Sequence, residues 1–341
     1  MKQIVIVSAI DAIADPIERA LIDAGCSVRR FRDKADFLAE ASALREAAVL
    51  VADGSVPVGR AAMEGATHLR AVISPFTGTE EFDVAAASGL NILVGNGQIP
   101  ENYESMAEAT IMLMLASLYD LPGRQAEFLG AAHRRATMLK GKVVGLLGHG
   151  RIAGEISRRL VPWGVRVIAT ARRPIVDPHV GQVDLEELLR ASDLLCVLAP
   201  RNETTRMLLN DERMRQMRRG ARLIVVSRGG IVDEAALASL AAEGHFAHVA
   251  LDVFDVEPLP RDSPLRSLEH AILTPHSVGH TTETIERLPQ AATESVLRVL
   301  RGMPPLYICN PEILETWRAR WRGVQGNDTA SPHFPHQGTK K

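Results

Sequence analysis

The sequence has 341 residues, of which 46% are hydrophobic and 23% charged, a composition typical of a globular protein large enough for two domains. The formal net charge is −2, so no overall positive field recruits nucleic acid or an anionic membrane, and no apolar run approaches the roughly 18 residues of a membrane span. Three widely spaced cysteines give neither a disulfide framework nor a metal-ligand spacing, so no metal site is predicted; with no signal peptide at the start, they favour the cytoplasm.

The first hundred residues alternate short β-branched runs with helical patterns. Strands are predicted at 4–7, 49–52, 70–73 and 92–94, and Asp15-Pro16 begins a helix that ends before Gly25. Strands separated by helices indicate a parallel sheet that is covered on both faces. A long helix is predicted over about 101–118, and its dense apolar positions indicate burial between layers or domains.

A second series of strands and helices begins near residue 142. Its strands are predicted at 143–147, 165–170, 194–198, 223–226, 249–252 and 271–274, and a helix is predicted over 151–160. This is the pattern of a doubly wound nucleotide-binding domain. A further helix is predicted from about 281 to 301, and the polar segment 327–341 predicts a disordered tail.

The turn after the first strand of this second series is rich in glycine. It has the form G-x-G-x-x-A, in which Gly148 permits a tight turn, Gly150 lets the backbone approach a pyrophosphate, and Ala153 keeps the helix close to the strand. The free N–H groups at the start of the following helix favour a phosphate group. A glycine-rich connection without a ligand is the alternative, and the strand before and helix after the turn weigh against it.

The next strand ends without the acidic residue that normally holds the ribose hydroxyls of NAD. Ala171 occupies that position, and Arg172 and Arg173 follow it. Arginine pairs with a 2′-phosphate through charge-assisted hydrogen bonds, whereas a carboxylate would repel one. The sequence therefore predicts that NADP(H) is preferred and NAD(H) is possible. Alternatively, the two arginines are ordinary solvated charges.

Three more segments, 226–234, 250–260 and 273–279, follow predicted strands, where ligands of open α/β sheets bind. Together with the glycine turn, in this order and spacing, they resemble the D-2-hydroxyacid dehydrogenase family from about residue 4 to residue 310. The resemblance implies two doubly wound parallel-sheet α/β domains with the active site in the cleft between them. These are a discontinuous flavodoxin-like substrate domain at 1–100 and 285–322 and a Rossmann-type dinucleotide-binding domain at 101–284, with a tail at 323–341. It also implies a homodimer.

The resemblance assigns roles to individual residues. His276 resembles the family's acid/base histidine, Glu257 its carboxylate partner, and Arg228 the arginine that binds substrate. These assignments are chemically sensible, because reduction of a keto acid needs a hydride at the carbonyl carbon and a proton at its oxygen. Histidine, with an ordinary pKa of about 6.5, is a natural proton donor, and a carboxylate beside it fixes its tautomer.

Further positions are carried over from the family's motifs. Asp252 resembles a residue near the nicotinamide carboxamide, the loop 74–78 resembles the one whose N–H groups bind the substrate carboxylate, and Pro200 begins a loop over the cofactor. The predicted cofactor-binding residues are Gly148, His149, Gly150, Arg151, Ile152, Arg172, Arg173, Pro200, Ser227 and Asp252. The predicted substrate-binding residues are Phe76, Thr77, Gly78, Asn102 and Arg228.

Structural alternatives exist for several of these residues. Arg228 could be a domain-bridging ion pair, Asp252 could only cap a turn, and Phe76 could only pack. Arg201, in the loop after Pro200, is expected to add a cation beside the cofactor that could favour a phosphorylated ribose. Four histidines are predicted to be non-catalytic, the first of them exposed: His149, His245, His248 and His280.

The run 170–172 is similar to the Thr-Gly-Arg of NADP-using glyoxylate and hydroxypyruvate reductases of the family, so these two keto acids are the leading substrates. The main alternative is a phosphoglycerate dehydrogenase, although the chain ends early for the regulatory domain that many of those enzymes carry. A second alternative is a nucleotide-sensing binding protein like the family's corepressors, which keep the Arg, Glu and His residues. The 15-residue polar stretch at the end suggests no partner-binding module.

Overall fold

The computed structural model describes residues 2–40, 42–133 and 135–321. The chain divides into two units, one formed by Met1–Ile99 with Ile285–Lys341 and the other by Pro100–Thr284. The tail predicted at 323–341 lies outside the described residues.

Short strands alternate with helices along the described residues. In chain order, the strands are β1 (Gln3–Val7), β2 (Ser27–Phe31), β3 (Ala47–Ala52), β4 (Ala71–Ile73), β5 (Leu93–Gly95), β6 (Val143–Leu147), β7 (Arg166–Thr170), β8 (Val180–Gln182), β9 (Leu194–Val197), β10 (Ala221–Val225), β11 (Phe246–Leu251) and β12 (Ala271–Leu273).

The α-helices connect these strands and continue beyond the last of them. They are α1 (Asp11–Asp23), α2 (Lys34–Ala39), α3 (Arg60–Glu64), α4 (Val84–Gly89), α5 (Pro100–Leu118), α6 (Leu121–Phe128), α7 (Arg151–Leu160), α8 (Leu185–Ala191), α9 (Asp211–Arg215), α10 (Glu234–Ala242), α11 (Thr282–Leu300) and α12 (Leu314–Trp321).

The first unit contains a five-stranded parallel sheet with strand order β2-β1-β3-β4-β5. This is the flavodoxin-like order, and it confirms the predicted class of this sheet. Two apolar clusters cover its faces, and the C-terminal helices contribute to one of them. Trp317 of α12 is fully buried there and donates its Nε1–H to the carbonyl of Arg70 over 2.8 Å.

The second unit contains a seven-stranded parallel sheet with strand order β12-β11-β10-β9-β6-β7-β8. Read from its other edge, this order is 3-2-1-4-5-6 with one added strand, so the predicted Rossmann-type fold is confirmed. The reversal of direction lies between β6 and β9, and this is where dinucleotides bind in such sheets.

The predicted long helix is α5, and it packs on the second sheet. Its buried residues Ala107, Leu113 and Met114 join a core cluster with strand residues such as Val144 and Leu146. Within the described part of the chain, no helix combines the length and the apolarity that crossing a bilayer would need.

Two short strands were missed by the sequence patterns. β2 contains Arg29 and Arg30 and has no apolar run, while β8 has three residues, one of them a glycine. Both lie at sheet edges. The side chain of Arg30 on β2 is only 6% exposed, and Asp11, Asp15 and Glu18 of α1 surround its guanidinium group.

Candidate active site

The glycine turn connects β6 to α7 in the geometry that a pyrophosphate requires. Gly148 has φ +99°, and a Cβ there would lie 2.8 Å from the backbone nitrogen of Ala199. Gly150 is the N-cap of α7, makes no side-chain cap and has open space where a Cβ would be. Glycine has no side chain that could cap the first N–H groups of α7, which suits a helix N-terminus that binds an anion.

Two buried polar atoms in loops at the carboxyl edge of this sheet also fit a bound nucleotide. The Nε2 atom of His149 and the Oγ atom of Ser227 are buried and have no hydrogen-bond partner among the described residues. A buried polar group without a partner is costly, and a ligand that bonds to it removes that cost. The expectation that His149 is exposed is wrong, because its residue is half-buried and its ring nitrogen is enclosed.

The two remaining residues of the turn have structural contacts. The guanidinium group of Arg151 lies 5.9 Å from the ring centre of Tyr103, within cation–π range. Ile152 packs against the core cluster beneath α7.

Arg172 and Arg173 follow the carboxyl end of β7 and are exposed. Gln182 of β8 donates from Nε2 to the carbonyls of Ala171 and Arg173 and so holds the backbone of this segment. The two guanidinium groups therefore extend from a fixed backbone at the position where the sequence predicts the adenosine ribose.

The loop after β9 places a third arginine elsewhere. Pro200 is exposed, and its carbonyl accepts a hydrogen bond from the hydroxyl of Thr205 at 2.7 Å. The side chain of Arg201 lies over Gly230, 3.6 Å from where a Cβ would be. Gly230 follows β10, three strands from β7, so Arg201 does not support a phosphorylated ribose there and this expectation is corrected.

The loops after β11 and β12 bring a histidine and a carboxylate together. Nδ1 of His276 lies 2.7 Å from Oε2 of Glu257, and both side chains are partly exposed. The other carboxylate oxygen, Oε1, accepts the backbone N–H of Phe254 at 2.9 Å. Glu257 is thereby fixed and in turn orients the imidazole, which leaves Nε2 of His276 for a reacting group.

Asp252, at the carboxyl end of β11, holds the loop that carries His276. Its Oδ1 accepts hydrogen bonds from the hydroxyl of Thr274 and from the N–H groups of Ser277 and Val278, at 2.6, 3.0 and 3.1 Å. Its carbonyl accepts the N–H of His276 at 2.7 Å. His276 has φ +53°, a conformation uncommon for histidine, and these bonds on both sides help to hold it. These contacts agree with the structural alternative for Asp252, in which its carboxylate caps a turn.

Arg228 lies in the loop after β10, which packs directly on the loop after β11. Its Nη1 donates to the carbonyl of Ser227 at 2.7 Å. A Cβ at Gly229 would collide with the carbonyl of Phe254, so only glycine permits this approach. The close packing of the two loops sets Arg228 beside the segment that carries Glu257.

A cavity of about 540 Å³ opens next to this pair. Its lining includes His276 and Glu257 together with the apolar side chains of Phe254, Leu259 and Leu273. The contribution of Phe254, which lines the cavity and donates to Glu257, was missed by the sequence analysis. Its only sequence signal was its place inside the segment 250–260.

The first unit carries the predicted substrate loop after β4. The carbonyls of Phe76 and Thr77 accept hydrogen bonds from Gly97 N–H at 2.7 Å and Asn96 Nδ2 at 2.9 Å, which tie this loop to the one after β5. Phe76 packs against a core cluster, and a Cβ at Gly54 would collide with the carbonyl of Gly78. In the second unit, Asn102 is half-buried in the first turn of α5.

The other three histidines have surroundings of their own. Nε2 of His245 lies 3.1 Å from the carbonyl of Met214, and Nε2 of His248 lies 2.9 Å from Oδ1 of Asp120. Burial lowers the pKa of His248, against the opposing effect of Asp120. Burial and the charge of the nearby His276 lower the pKa of His280.

Known proteins match this chain in sequence and in structure. Residues 105–278 match the model of the D-isomer specific 2-hydroxyacid dehydrogenase NAD binding domain. A glyoxylate reductase of Korarchaeum cryptofilum is 31% identical over 270 residues, which cover 76% of this chain and 81% of that protein. A D-3-phosphoglycerate dehydrogenase of Mycobacterium bovis is 31% identical over 305 residues, 86% of this chain and 55% of that protein.

Among solved structures, an NADPH-dependent glyoxylate/hydroxypyruvate reductase from Sinorhizobium meliloti, in complex with NADP and malonate, is 26% identical. It superposes with a TM-score of 0.81 over 90% of this chain and 97% of the other. The family model covers half of this chain, and the curated relatives cover most of it. The chain therefore belongs to the D-isomer-specific 2-hydroxyacid dehydrogenase family and is an NAD(P)-dependent oxidoreductase that transfers a hydride between a nicotinamide cofactor and a small 2-keto or 2-hydroxy acid.

Proposed function

We propose that this enzyme prefers NADP(H) and reduces glyoxylate or hydroxypyruvate. The observation that carries the cofactor preference is the pair of exposed arginines, Arg172 and Arg173, directly after β7, where Ala171 replaces an acidic residue. Two cations on a fixed backbone can pair with a 2′-phosphate, and no carboxylate at that position repels it. The NADPH dependence of the Sinorhizobium meliloti relative supports the same choice.

We assign the glycine turn to the pyrophosphate. Gly148, His149, Gly150, Arg151 and Ile152 surround the start of α7, where N–H groups lack a side-chain cap. Ser227 Oγ and His149 Nε2 supply polar atoms that need a partner. A bound nicotinamide dinucleotide supplies the hydride.

The chain's own residues handle the proton and the substrate. The bond of His276 Nδ1 to Glu257 leaves Nε2 to hold the proton that is delivered to the substrate oxygen. Glu257 stabilises the imidazolium, and Arg228 binds the substrate carboxylate and polarises its carbonyl. The backbone of Phe76, Thr77 and Gly78 and the side chain of Asn102 complete the binding of the acid.

Substitution of the two arginines tests the cofactor preference. Removing Arg172 and Arg173 by alanine is expected to lower kcat/KM for NADPH by about 10- to 100-fold, since a hydrogen bond to a charged group contributes about 1.5–3 kcal/mol. The value for NADH should change little. Arg166→Ala is the matched control, because this exposed arginine lies at the opposite end of the same strand. A wild-type preference for NADH, or equal losses with both cofactors, would refute the proposal.

A panel of keto acids tests the substrate. Initial rates of NADPH oxidation with glyoxylate, hydroxypyruvate, pyruvate, 2-ketobutyrate and 3-phosphohydroxypyruvate should give the highest kcat/KM with one of the first two. The curated relatives include phosphoglycerate dehydrogenases, so highest efficiency with the phosphorylated acid would replace this proposal with that activity. Tight NADPH binding without turnover of any acid would favour the nucleotide-sensing alternative.

Two implications of the family remain predictions: the first unit binds the substrate and the second the dinucleotide, and the chain forms a homodimer. Residence in the cytoplasm, which the cysteine pattern favours, is also a prediction. Light scattering on the protein as it elutes from a size-exclusion column measures the mass of the assembly, and a mass of 37.1 kDa would exclude the dimer.

A further inference from the structure

A second cluster of polar side chains lies in the second unit, away from the candidate active site. It consists of Asp120, His248 and His270. One ligand atom from each of these residues lies within 4.8 Å of the others. The cluster joins two imidazoles and one carboxylate, which is a ligand set that transition metals bind.

The register of the sheet places the two histidines side by side. Val249 of β11 pairs with Ala271 of β12, so the residues that precede them, His248 and His270, are neighbours across the two strands. The N–H of Val249 donates to the carbonyl of His270 at 2.9 Å, and the two ring centres are 5.5 Å apart. Adjacent strands are about 4.8 Å apart, so the imidazoles project from neighbouring positions of one edge.

The carboxylate of the cluster is held by the corner between α5 and α6. Asp120 has φ +50°, a conformation that aspartate tolerates better than most residues. Its Oδ1 accepts the N–H of Gly123 at 3.2 Å and lies 2.9 Å from Nε2 of His248. A Cβ at position 123 would collide with this carboxylate, so the glycine makes room for it. Backbone, cap and glycine together direct Asp120 towards His248.

His248 carries a second, independent observation. It is only 3% exposed, yet its Nδ1 has no hydrogen-bond partner among the described residues. The contact with Asp120 therefore leaves half of the ring's hydrogen-bonding capacity unmet. His270 is exposed and Asp120 is partly exposed, so the cluster is reached from solvent although its central ligand is buried.

We propose that Asp120, His248 and His270 form a binding site for a divalent transition metal ion such as Zn²⁺. Bonds of about 2.0–2.2 Å to zinc place the ligand atoms roughly 3.3 Å apart, so the cluster contracts on binding. Rotation of the exposed His270 side chain supplies that movement. Three protein ligands leave the remaining coordination position to water.

The surroundings include one positive charge. Arg222 of β10 pairs in register with His248, and its Nε donates to the carbonyl of Ser117 at 3.3 Å. Its guanidinium group competes with a cation for Asp120, so we expect moderate rather than very tight binding.

The site lies at the amino ends of β11 and β12, whereas His276 and Asp252 lie at the carboxyl ends. Three residues of β11 lie between His248 and Asp252, and the four steps along the extended strand span about 13 Å. The sequence predicts no metal site, and this proposal revises that prediction.

Zinc titration of the full chain tests the site. Competition with a chromophoric chelator gives the stoichiometry and affinity for the wild type and for His270→Ala and Asp120→Asn. His270 is exposed, so its loss should not prevent folding, and asparagine keeps the oxygen that caps α6. His68→Ala controls for an exposed histidine of the other unit, and His276→Ala removes the active-site histidine as a competing zinc site.

We expect one zinc ion per chain in the wild type and in both control variants. Loss of a residue that merely supports a metal ligand costs about 10–100-fold in affinity, so His270→Ala and Asp120→Asn should lose at least tenfold. Zinc should also raise the Tm of the wild type but not that of His270→Ala, and bound Co²⁺ should show visible absorption bands that this variant lacks. Zinc binding that is unchanged in both cluster variants, or that disappears in His276→Ala, would overturn the proposal. With either result, the His248–Asp120 contact would be only a structural hydrogen bond.

Discussion

Asp53 follows β3 and is a carboxyl group whose ionisation opposes folding. Its side chain is largely buried, and Oδ1 has no hydrogen-bond partner among the described residues. Burial raises its pKa from the ordinary 3.8 to about 6, while a hydrogen bond from Ser8 and the charge of Arg30 only partly oppose the rise. Replacing Asp53 by asparagine keeps the shape and removes the ionisation.

The sign of the effect follows from proton binding. The folded chain binds the proton of Asp53 more tightly than the unfolded chain, so its contribution to stability is fully present below pH 3.8 and is lost as the pH rises through about 6. One pKa unit corresponds to about 1.4 kcal/mol, so the loss approaches about 3 kcal/mol at pH 7. Asp53→Asn is therefore expected to be more stable than the wild type by up to about 3 kcal/mol at pH 7 and similar to it near pH 3.5.

Urea unfolding at several pH values from 3.5 to 7.5 measures this difference. Tryptophan fluorescence reports mainly on the first unit, which holds the buried Trp317 as well as Trp321, whereas Trp163 of the second unit is about half exposed. Taking the difference in the free energy of unfolding between variant and wild type at each pH cancels the contributions of the other titrating groups. Asp23→Asn, an exposed residue at the end of α1 in the same unit, is the matched control and should show no pH-dependent difference.

Two results would refute this reasoning. One is a stability difference between Asp53→Asn and the wild type that does not change between pH 3.5 and pH 7. The other is a variant that is less stable than the wild type at pH 7, which would mean that the carboxylate is stabilised in the folded state by contacts stronger than its burial penalty.

Two further predictions concern the active-site loops. His276→Ala should lower kcat by about 10²- to 10⁴-fold, while the Kd for NADPH stays within a few-fold. The control variant His280→Gln should keep its turnover. A near-normal kcat in His276→Ala would exclude His276 as the proton donor. Gly229→Ala should lower the free energy of unfolding by about 1–3 kcal/mol or more, because the new Cβ meets the carbonyl of Phe254. Gly154 of α7 has open space where a Cβ would be, so Gly154→Ala should be neutral or stabilising by up to about 1 kcal/mol. Thermal unfolding measures both variants, and an equal loss of stability in the two would contradict the predicted collision at Gly229.

Strands with continuous apolar runs were predictable, and those whose burial depends on other elements were not. β1, β3, β6, β7, β9, β10 and β11 consist mostly of buried side chains, so local pattern alone identified them. β2 has no such pattern, because its buried Arg30 is neutralised by acidic residues of α1. The acids of α1 and the arginine are joined only by folding, and their pairing has no signature in the local sequence.

The motif residues of the site were also predictable, because their chemistry depends on residue type and on order along the chain. The glycine turn could be named from its spacing and from the strand before it, whereas Arg228, Glu257 and His276 were named from the resemblance of their segments to the family's motifs. Their supporting contacts could not be named. That Oδ1 of Asp252 holds the loop of His276, and that Gly229 admits the carbonyl of Phe254, depend on which loops meet at one edge of the sheet.

Periodicity and glycine placement are local properties, so they predicted the two sheets and the nucleotide turn, and the reaction class followed from the resemblance of the motifs to a known family. Where polar side chains from distant segments meet depends on how the whole chain folds. Asp120, His248 and His270 are spread over 150 positions, and strand register together with the turn at Gly123 brings them within 4.8 Å of one another. The position of Arg201 likewise depends on the fold, because its side chain lies over Gly230, three strands away from the arginine pair after β7. Register and loop packing depend on the whole core, so no local pattern carries them.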